Sequence, residues 1–332
     1  LLEPSRTNYA TRSEDFTHSY WLVSSMTVTP DDTTSPYGTQ TAAKIEATGG
    51  GSVRTSSYTG TDGYAFSIFV KKGNSTYVTL RAFGFTTSTI VGFNLDTLTA
   101  QTGGVIEDYG NDWYRLSISK DISSDADKSG FFYIYLPDVL GQTTSVSGNY
   151  AYFFGAQLED ADYPTSYIPT SGSTVTRSAE TANGAGNSNV FNDSEGVLYA
   201  EIAALADVQT NRRITISDGS NNNRIVTGYN TNSNYIFYFI IDGGSTVATG
   251  SYQLTDIKDY HKVGIKWKEN DFALWIDGVE RHTDSSGTTP SGLDSLQFEQ
   301  GSGGALYFHG KTKDLRVYDT ALSDSELQAL TS

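Results

Sequence analysis

The side chains best placed to meet a ligand in this sequence are aromatic, cationic and amide groups that alternate with apolar ones along short runs. In YVTLRAFGF (77–85), Val78, Leu80 and Ala82 fall on one side of a strand, which leaves Tyr77, Thr79, Arg81 and Phe83 on the other. In DWYRLSIS (112–119), Tyr114, Leu116 and Ile118 oppose Trp113, Arg115 and Ser117, and in FFYIYLPD (131–138) Phe132, Ile134 and Leu136 oppose Phe131, Tyr133 and Tyr135. In AYFFGAQLE (151–159), Gln157 and Glu159 oppose Ala156 and Leu158. The chemistry this mixture suits is recognition. An aromatic plane takes the C–H face of a pyranose, while guanidinium and amide groups take its hydroxyls. Arg81, Phe83, Trp113, Arg115, Tyr133, Tyr135 and Gln157 are therefore candidate ligand contacts, and so are Trp275 and His309 further along. The same exposed aromatics would equally suit a contact with a sister subunit.

Covalent chemistry finds little support. The four histidines, His18, His261, His282 and His309, are scattered, and no HExxH, GxSxG or phosphate-cradling glycine motif occurs. The acidic pairs Glu14/Asp15, Asp31/Asp32 and Glu159/Asp160 are sequence neighbours, so a strand would point each pair to opposite faces rather than into one cleft. No catalytic residue is assigned. Clusters such as Asp121/Asp125/Asp127 and Asp218/Asn221/Asn222 could chelate calcium through oxygen, but polar turns use the same residues. No cofactor is required, and a structural calcium stays an open option.

Composition bounds the partners. With 22 Lys and Arg against 38 Asp and Glu the net charge is −16, so no basic stripe is left for a phosphate backbone and nucleic acid is not expected. The absence of cysteine excludes disulfides and thiolate metal sites. No stretch approaches the roughly 20 apolar residues that span a bilayer, and no secretory leader is visible. The chain opens Leu1-Leu2-Glu3 without methionine, which suggests a piece of something longer.

The 22 Tyr and 16 Phe amid Thr, Ser, Asn and Gly indicate an all-β protein. Runs of about 7 to 10 residues bounded by Gly, Asn, Asp or Ser carry the alternation of sandwich strands. The stretch from Thr170 to Asn192 is too polar to bury a core. This places a first domain at 1–177, a polar linker at 178–194 and a second domain at 195–332. The one expected helix is the tail from Ser323 to Leu330, where Ser323 and Glu326 can form a capping box.

The runs HKVGIKWKENDFALWIDGVE (261–280) and GALYFHGKTKDLRVYDTALSDSELQAL (304–330) resemble the laminin-G/concanavalin-A-like family. Phe308, Gly310, Asp314, Arg316, Tyr318, Ala321, Leu322, Ser323 and Glu326 stand at its closing-strand pattern. The first half is similar to jelly-roll carbohydrate-binding modules through Asn8, Glu14-Asp15-Phe16, Trp21 and the closing YFFGAQLED. That likeness implies a calcium held by acids of the closing strand, where this chain has Phe154 and Gly155. LLEPSRTN (1–8), DWYRLSI and YPTSYIPTSGSTVTR (163–177) resemble a segment of tailed-phage tail and fibre proteins.

Together these readings imply two antiparallel β-sandwiches, a jelly roll and then a laminin-G/concanavalin-A-like domain, with a short C-terminal helix. The function they imply is non-catalytic binding of a host-surface polysaccharide or glycan at the receptor-binding end of a virion tail or another extracellular appendage. Weak sites would gain avidity in a homo-oligomer, a trimer being favoured, without membrane insertion. The alternatives are accessory modules of a secreted polysaccharide-degrading enzyme, a depolymerase in its own right, and a structural virion decoration.

Overall fold

Gly-, Asn- and Ser-rich breaks cut the chain into short strands, and the computed structural model, which describes residues 1–332, is β throughout except for one C-terminal helix. It divides into two units, Ser5–Ser178 and Ala179–Ser332, the latter joined by Leu1–Pro4.

The N-terminal unit contains β1 (Arg6–Asn8), β2 (Leu22–Thr33), β3 (Ala42–Arg54), β4 (Tyr58–Thr59), β5 (Gly63–Lys72), β6 (Tyr77–Phe83) and β7 (Thr89–Asn94). It continues with β8 (Thr99–Ala100), β9 (Gly104–Asp108), β10 (Trp113–Asp121), β11 (Ser129–Tyr135), β12 (Tyr150–Glu159) and β13 (Val175–Arg177). Its main sheet runs β8-β7-β6-β11-β3-β12-β5-β10-β9. The long β3 makes the fold possible: Ala43–Glu46 pair with β12, and Val53 and Arg54 pair with β11, so one strand joins two leaves. Between the leaves lie Val78, Leu80, Phe132 and Ile134 from one side and Phe66, Ile68, Leu116 and Phe153 from the other. The rings of Phe66 and Phe132 stack at 5.1 Å.

The C-terminal unit contains β14 (Asn183–Ala185), β15 (Glu195–Ala204), β16 (Arg212–Ser217), β17 (Arg224–Tyr229), β18 (Tyr235–Asp242) and β19 (Ser245–Gln253). It ends with β20 (His261–Lys268), β21 (Phe272–Ile276), β22 (Val279–Asp284), β23 (Ser295–Gln297), β24 (Gly310–Tyr318) and α1 (Asp324–Thr331). A six-stranded sheet, β14-β23-β16-β17-β18-β19, faces a five-stranded one, β22-β21-β20-β15-β24. Ile214, Ile225, Tyr238 and Ile240 meet Leu198, Ile265, Trp267 and Leu274 in the core. Within the stretch read above as a linker, Asn183–Ala185 pair with β23 and Phe191 is buried in this core. Leu2 bridges Gly310, where an added Cβ would lie 2.8 Å from the Phe308 ring.

The capping box forms at α1: Ser323 N–H donates to Glu326 Oε2 at 2.8 Å, and Ser323 Oγ accepts from the Glu326 N–H. The helix lays Leu327 on the outer face of the five-stranded sheet, against Val197, Ala273 and Trp275.

Candidate functional site

Antiparallel register brings separate runs of the sequence into one row on the outer face of the leaf formed by β2, β3, β11, β6 and β7. Leu22 pairs with Arg54, Arg54 with Tyr133, Tyr133 with Arg81, and Arg81 with Ile90. Five strands thus place an apolar, a cationic, an aromatic, a cationic and an apolar side chain in line, spanning roughly 19 Å at about 4.8 Å per strand. One step along, Phe131 pairs with Phe83. Phe83, Ile90 and Leu22 are 43%, 43% and 42% exposed.

The rings are held by one another and by the cations between them. Tyr133 stacks on Tyr135 with centroids 5.8 Å apart and planes 8° from parallel, and it meets Phe83 edge-on at 6.3 Å. Arg81 lies 4.2 Å from the Phe83 centroid, and Arg54 lies 4.3 Å from that of Phe131. Neither arginine pairs with a carboxylate of the chain, although the molecule as a whole is strongly acidic. Beyond Tyr135 the segment between β11 and β12 closes the row. At Gly92 an added Cβ would lie 2.3 Å from the Gly141 nitrogen and 2.8 Å from Leu140 Cδ1, so only a bare backbone fits beneath that segment. Burial raises the pKa of the Tyr135 hydroxyl, partly offset by the adjacent Arg81 and Ser52. Tyr135 is thus the floor of the row, and Phe83, Tyr133 and the two guanidiniums are its open part.

Of the side chains singled out in the sequence, the fold gathers Arg81, Phe83, Tyr133 and Tyr135 here. Arg54 and Phe131 complete the row, and Arg54 has a sequence signal only in retrospect, as the outward residue of a strand whose Val53 is core. Trp113, Arg115 and Gln157 lie elsewhere, on the outer face of the other leaf, and that face is covered. Trp113 packs with Ala42, Phe69 and Phe154, and its indole N–H donates to Thr34 O at 3.1 Å. Arg115 is buried over Phe69, donates to Ser67 Oγ at 2.8 Å and has Glu107 4.0 Å away. The strand alternation places all three on the non-core side, as expected, but the chain's own segments lie over them.

Gln157 belongs to a clasp. It donates to Glu159 Oε2 (2.9 Å) and to Thr165 O (3.1 Å), and accepts from the Ile168 N–H (2.6 Å). Glu159 accepts from the Thr165 N–H, and Asn8 donates to Ile168 O (2.8 Å) while accepting from the N–H groups of Ala10 and Leu158. Asp160 receives the N–H groups of Thr61, Asp62 and Gly63 and the Thr61 hydroxyl. Burial would raise its pKa, but those hydrogen bonds outweigh it and hold the carboxyl below the usual carboxylate range. Asn8 and the motifs GAQLED and YPTSYIPT are therefore joined as one polar fastening of this unit.

In the C-terminal unit Trp275 lies under α1 and is 7% exposed. Lys266 beside it pairs with Asp271 at 2.6 Å, within a polar hollow next to the helix start. His309 stacks on Tyr307 at 5.9 Å, on the side away from the buried Phe308. His261 is held between Asp277 Oδ2 (2.6 Å) and Asp256 O (3.0 Å), and His282 meets the Tyr238 hydroxyl at 3.0 Å. The oxygen clusters named above as calcium candidates are engaged in their own loops: Asp121 accepts from the Ser123 N–H, Asp125 pairs with Lys120, and Asp218 accepts from Ser220 and Asn223. No group of three or more His, Asp or Glu side chains is arranged to hold a metal ion.

A family model described as the concanavalin A-like lectin/glucanases superfamily (Laminin_G_3) matches residues 198–328. No curated protein matches the chain. Among solved structures, a carbohydrate-binding module (CBM40) of the Ruminococcus gnavus IT-sialidase bound to alpha2,3 sialyllactose is similar to 46% of this chain over 97% of its own length, at 17% identity and a TM-score of 0.38. Domains LG4-5 of the mouse laminin alpha1 chain cover 96% of this chain and 92% of their own, at 11% identity and a TM-score of 0.32. The receptor-binding domain of botulinum neurotoxin type G covers 45% of each chain, at 12% identity and a TM-score of 0.33.

Proposed function

We propose that the chain binds glycan without transforming it, and that the row Leu22–Arg54–Tyr133–Arg81–Ile90, with Phe83 and Phe131 beside it, is the saccharide-binding face. The observation that carries this reading is the register, which alternates guanidiniums and aromatic rings across neighbouring strands and leaves them open on one side. Sugar C–H faces pack on Phe83 and Tyr133, while Arg54 and Arg81, free of internal carboxylates, donate to ring and hydroxyl oxygens. The likeness of residues 1–177 to phage tail segments supports a place on a virion appendage, working outside the cell on a host-surface polysaccharide. Several copies in a homotrimer would turn a weak site into firm attachment. The chief alternative is an accessory binding pair of a secreted polysaccharide-degrading enzyme, which uses the same face.

A second reading makes the row a contact between copies, and the exposed Leu22 and Ile90 at its two ends favour it. A glycan array probed with the intact chain, with and without calcium, separates the two. Specific hits lost in Arg81→Ala and Tyr133→Ala support glycan binding. A blank array, with sedimentation showing that the same variants fall apart to monomers, supports the contact.

A further inference from the structure

The outer face of the six-stranded sheet in the C-terminal unit carries a second cationic group that differs in kind from the row above. Arg213 and Arg224 lie 5.1 and 5.2 Å from the centroid of one ring, Phe239. Arg224 is 8% exposed and donates to Asn221 Oδ1 (2.5 Å) and Gln300 O (2.7 Å), both neutral, while its Nε has no partner. Arg213 is half-buried, and its guanidinium makes no hydrogen bond within the chain; its Nε is buried and unpartnered. Neither forms an ion pair. Burial pulls the Arg213 guanidinium below its ordinary value, and burial together with the Arg213 charge does the same to Arg224. The segment over this sheet holds one buried acid, Glu299, but its Oε2 is taken by the Gly304 N–H at 2.7 Å.

The surroundings suit a sugar. Arg213 bridges Tyr307, and the Tyr307 ring stacks on His309, so two more rings continue the face from the arginine. At Gly228, the cross-strand partner of Arg213, an added Cβ would lie 1.9 Å from the Arg212 carbonyl oxygen. No side chain therefore stands beside Arg213 at that position. Two positive charges held together with too few acceptors, in a protein of net charge −16, form an environment that an external anion would complete.

We infer that Arg213 and Arg224 receive the carboxylate of an acidic sugar, with Phe239 and Tyr307 flanking the ring that bears it. A guanidinium fork matches a carboxylate with two parallel N–H···O bonds, and Arg213 has those donors free. The shared chemistry is a hexuronate or sialate carboxylate. The site is independent of the face on the N-terminal unit, so either can fail without the other.

The test is titration of the intact chain by calorimetry and by NMR. The probes are one glucuronic acid oligosaccharide, one N-acetylneuraminic acid oligosaccharide and the methyl ester of each, and the two acids distinguish the source of the carboxylate. At least one acid should bind, with its ester tenfold or more weaker. Arg213→Gln should weaken the acid about tenfold or more, and Arg213→Lys, which keeps the charge but loses the fork, should fall between. Val105→Ala, at an exposed position of β9 outside both faces, should leave this binding unchanged. The Arg213 side chain makes no internal hydrogen bond, so these variants should fold, and unchanged thermal melts check that. Equal binding of acid and ester, unchanged binding by Arg213→Gln, or no binding of either acid at millimolar saccharide would overturn the assignment.

Discussion

Tyr133 is the centre of the proposed binding row, flanked by Arg54 and Arg81 across the strands and stacked on Tyr135 along its own. Its removal takes away a ring face without opening the core, because the core side of the same strand is carried by Phe132 and Ile134. Asn8 is the opposite case: wholly buried, it bonds Ala10, Leu158 and Ile168 at once. Asn8→Ala leaves those backbone groups unpaired and should cost about 2–4 kcal/mol, at ~1–3 kcal/mol per buried polar group left unmade; urea denaturation reads the loss, and glycan binding by the folded fraction should not change. Asp160 adds a pH dependence. Its folded pKa lies below the unfolded 3.8, so its stabilisation is fully present above that value and is lost as pH falls through the depressed folded one. Acid unfolding of Asp160→Asn should therefore show a shallower loss of stability below about pH 4 than the parent, although the variant starts less stable at neutral pH.

At the scale of elements, alternation in the sequence located the inner rows of β6, β10, β11 and β12 correctly, because a strand has only two faces and the Val, Leu, Ile and Phe positions mark one of them. Alternation carries no information on what covers the outward face. Trp113, Arg115 and Gln157 alternate as Tyr133 does, yet residues outside their own strands lie over them: Thr34 accepts from Trp113, and Thr165 and Ile168 bind Gln157. Trp275 is likewise outward and likewise covered, here by α1, which the capping box does reveal in the sequence. Ser323→Ala removes that cap and should cost about 1 kcal/mol. Because Leu327 packs against Trp275, fraying of α1 should also redden the indole emission and raise its quenching by acrylamide. Arg54 has no signal within its own strand, and Phe131 reads as outward but not as a ligand contact, because their place in the row depends on cross-strand register, which no single strand encodes.

At the scale of the whole molecule, two β units of different topology each present an aromatic face with arginines that lack internal carboxylate partners, against a net charge of −16. Such local cationic sites on an acidic surface favour selective contact over general adhesion to anionic polymers. If copies assemble in a virion appendage, a multivalent glycan surface should retain the chain far longer than a soluble oligosaccharide does, and dilution to monomer should abolish the difference. The most direct test of the central claim is calorimetric titration of the best array hit into the intact chain and into Tyr133→Ala. The account predicts saturable binding by the parent and a loss of about 5- to 30-fold in the variant, equivalent to about 1–2 kcal/mol, with an unchanged thermal melt. Equal affinity in the two proteins would contradict the assignment of this face as the saccharide-binding site.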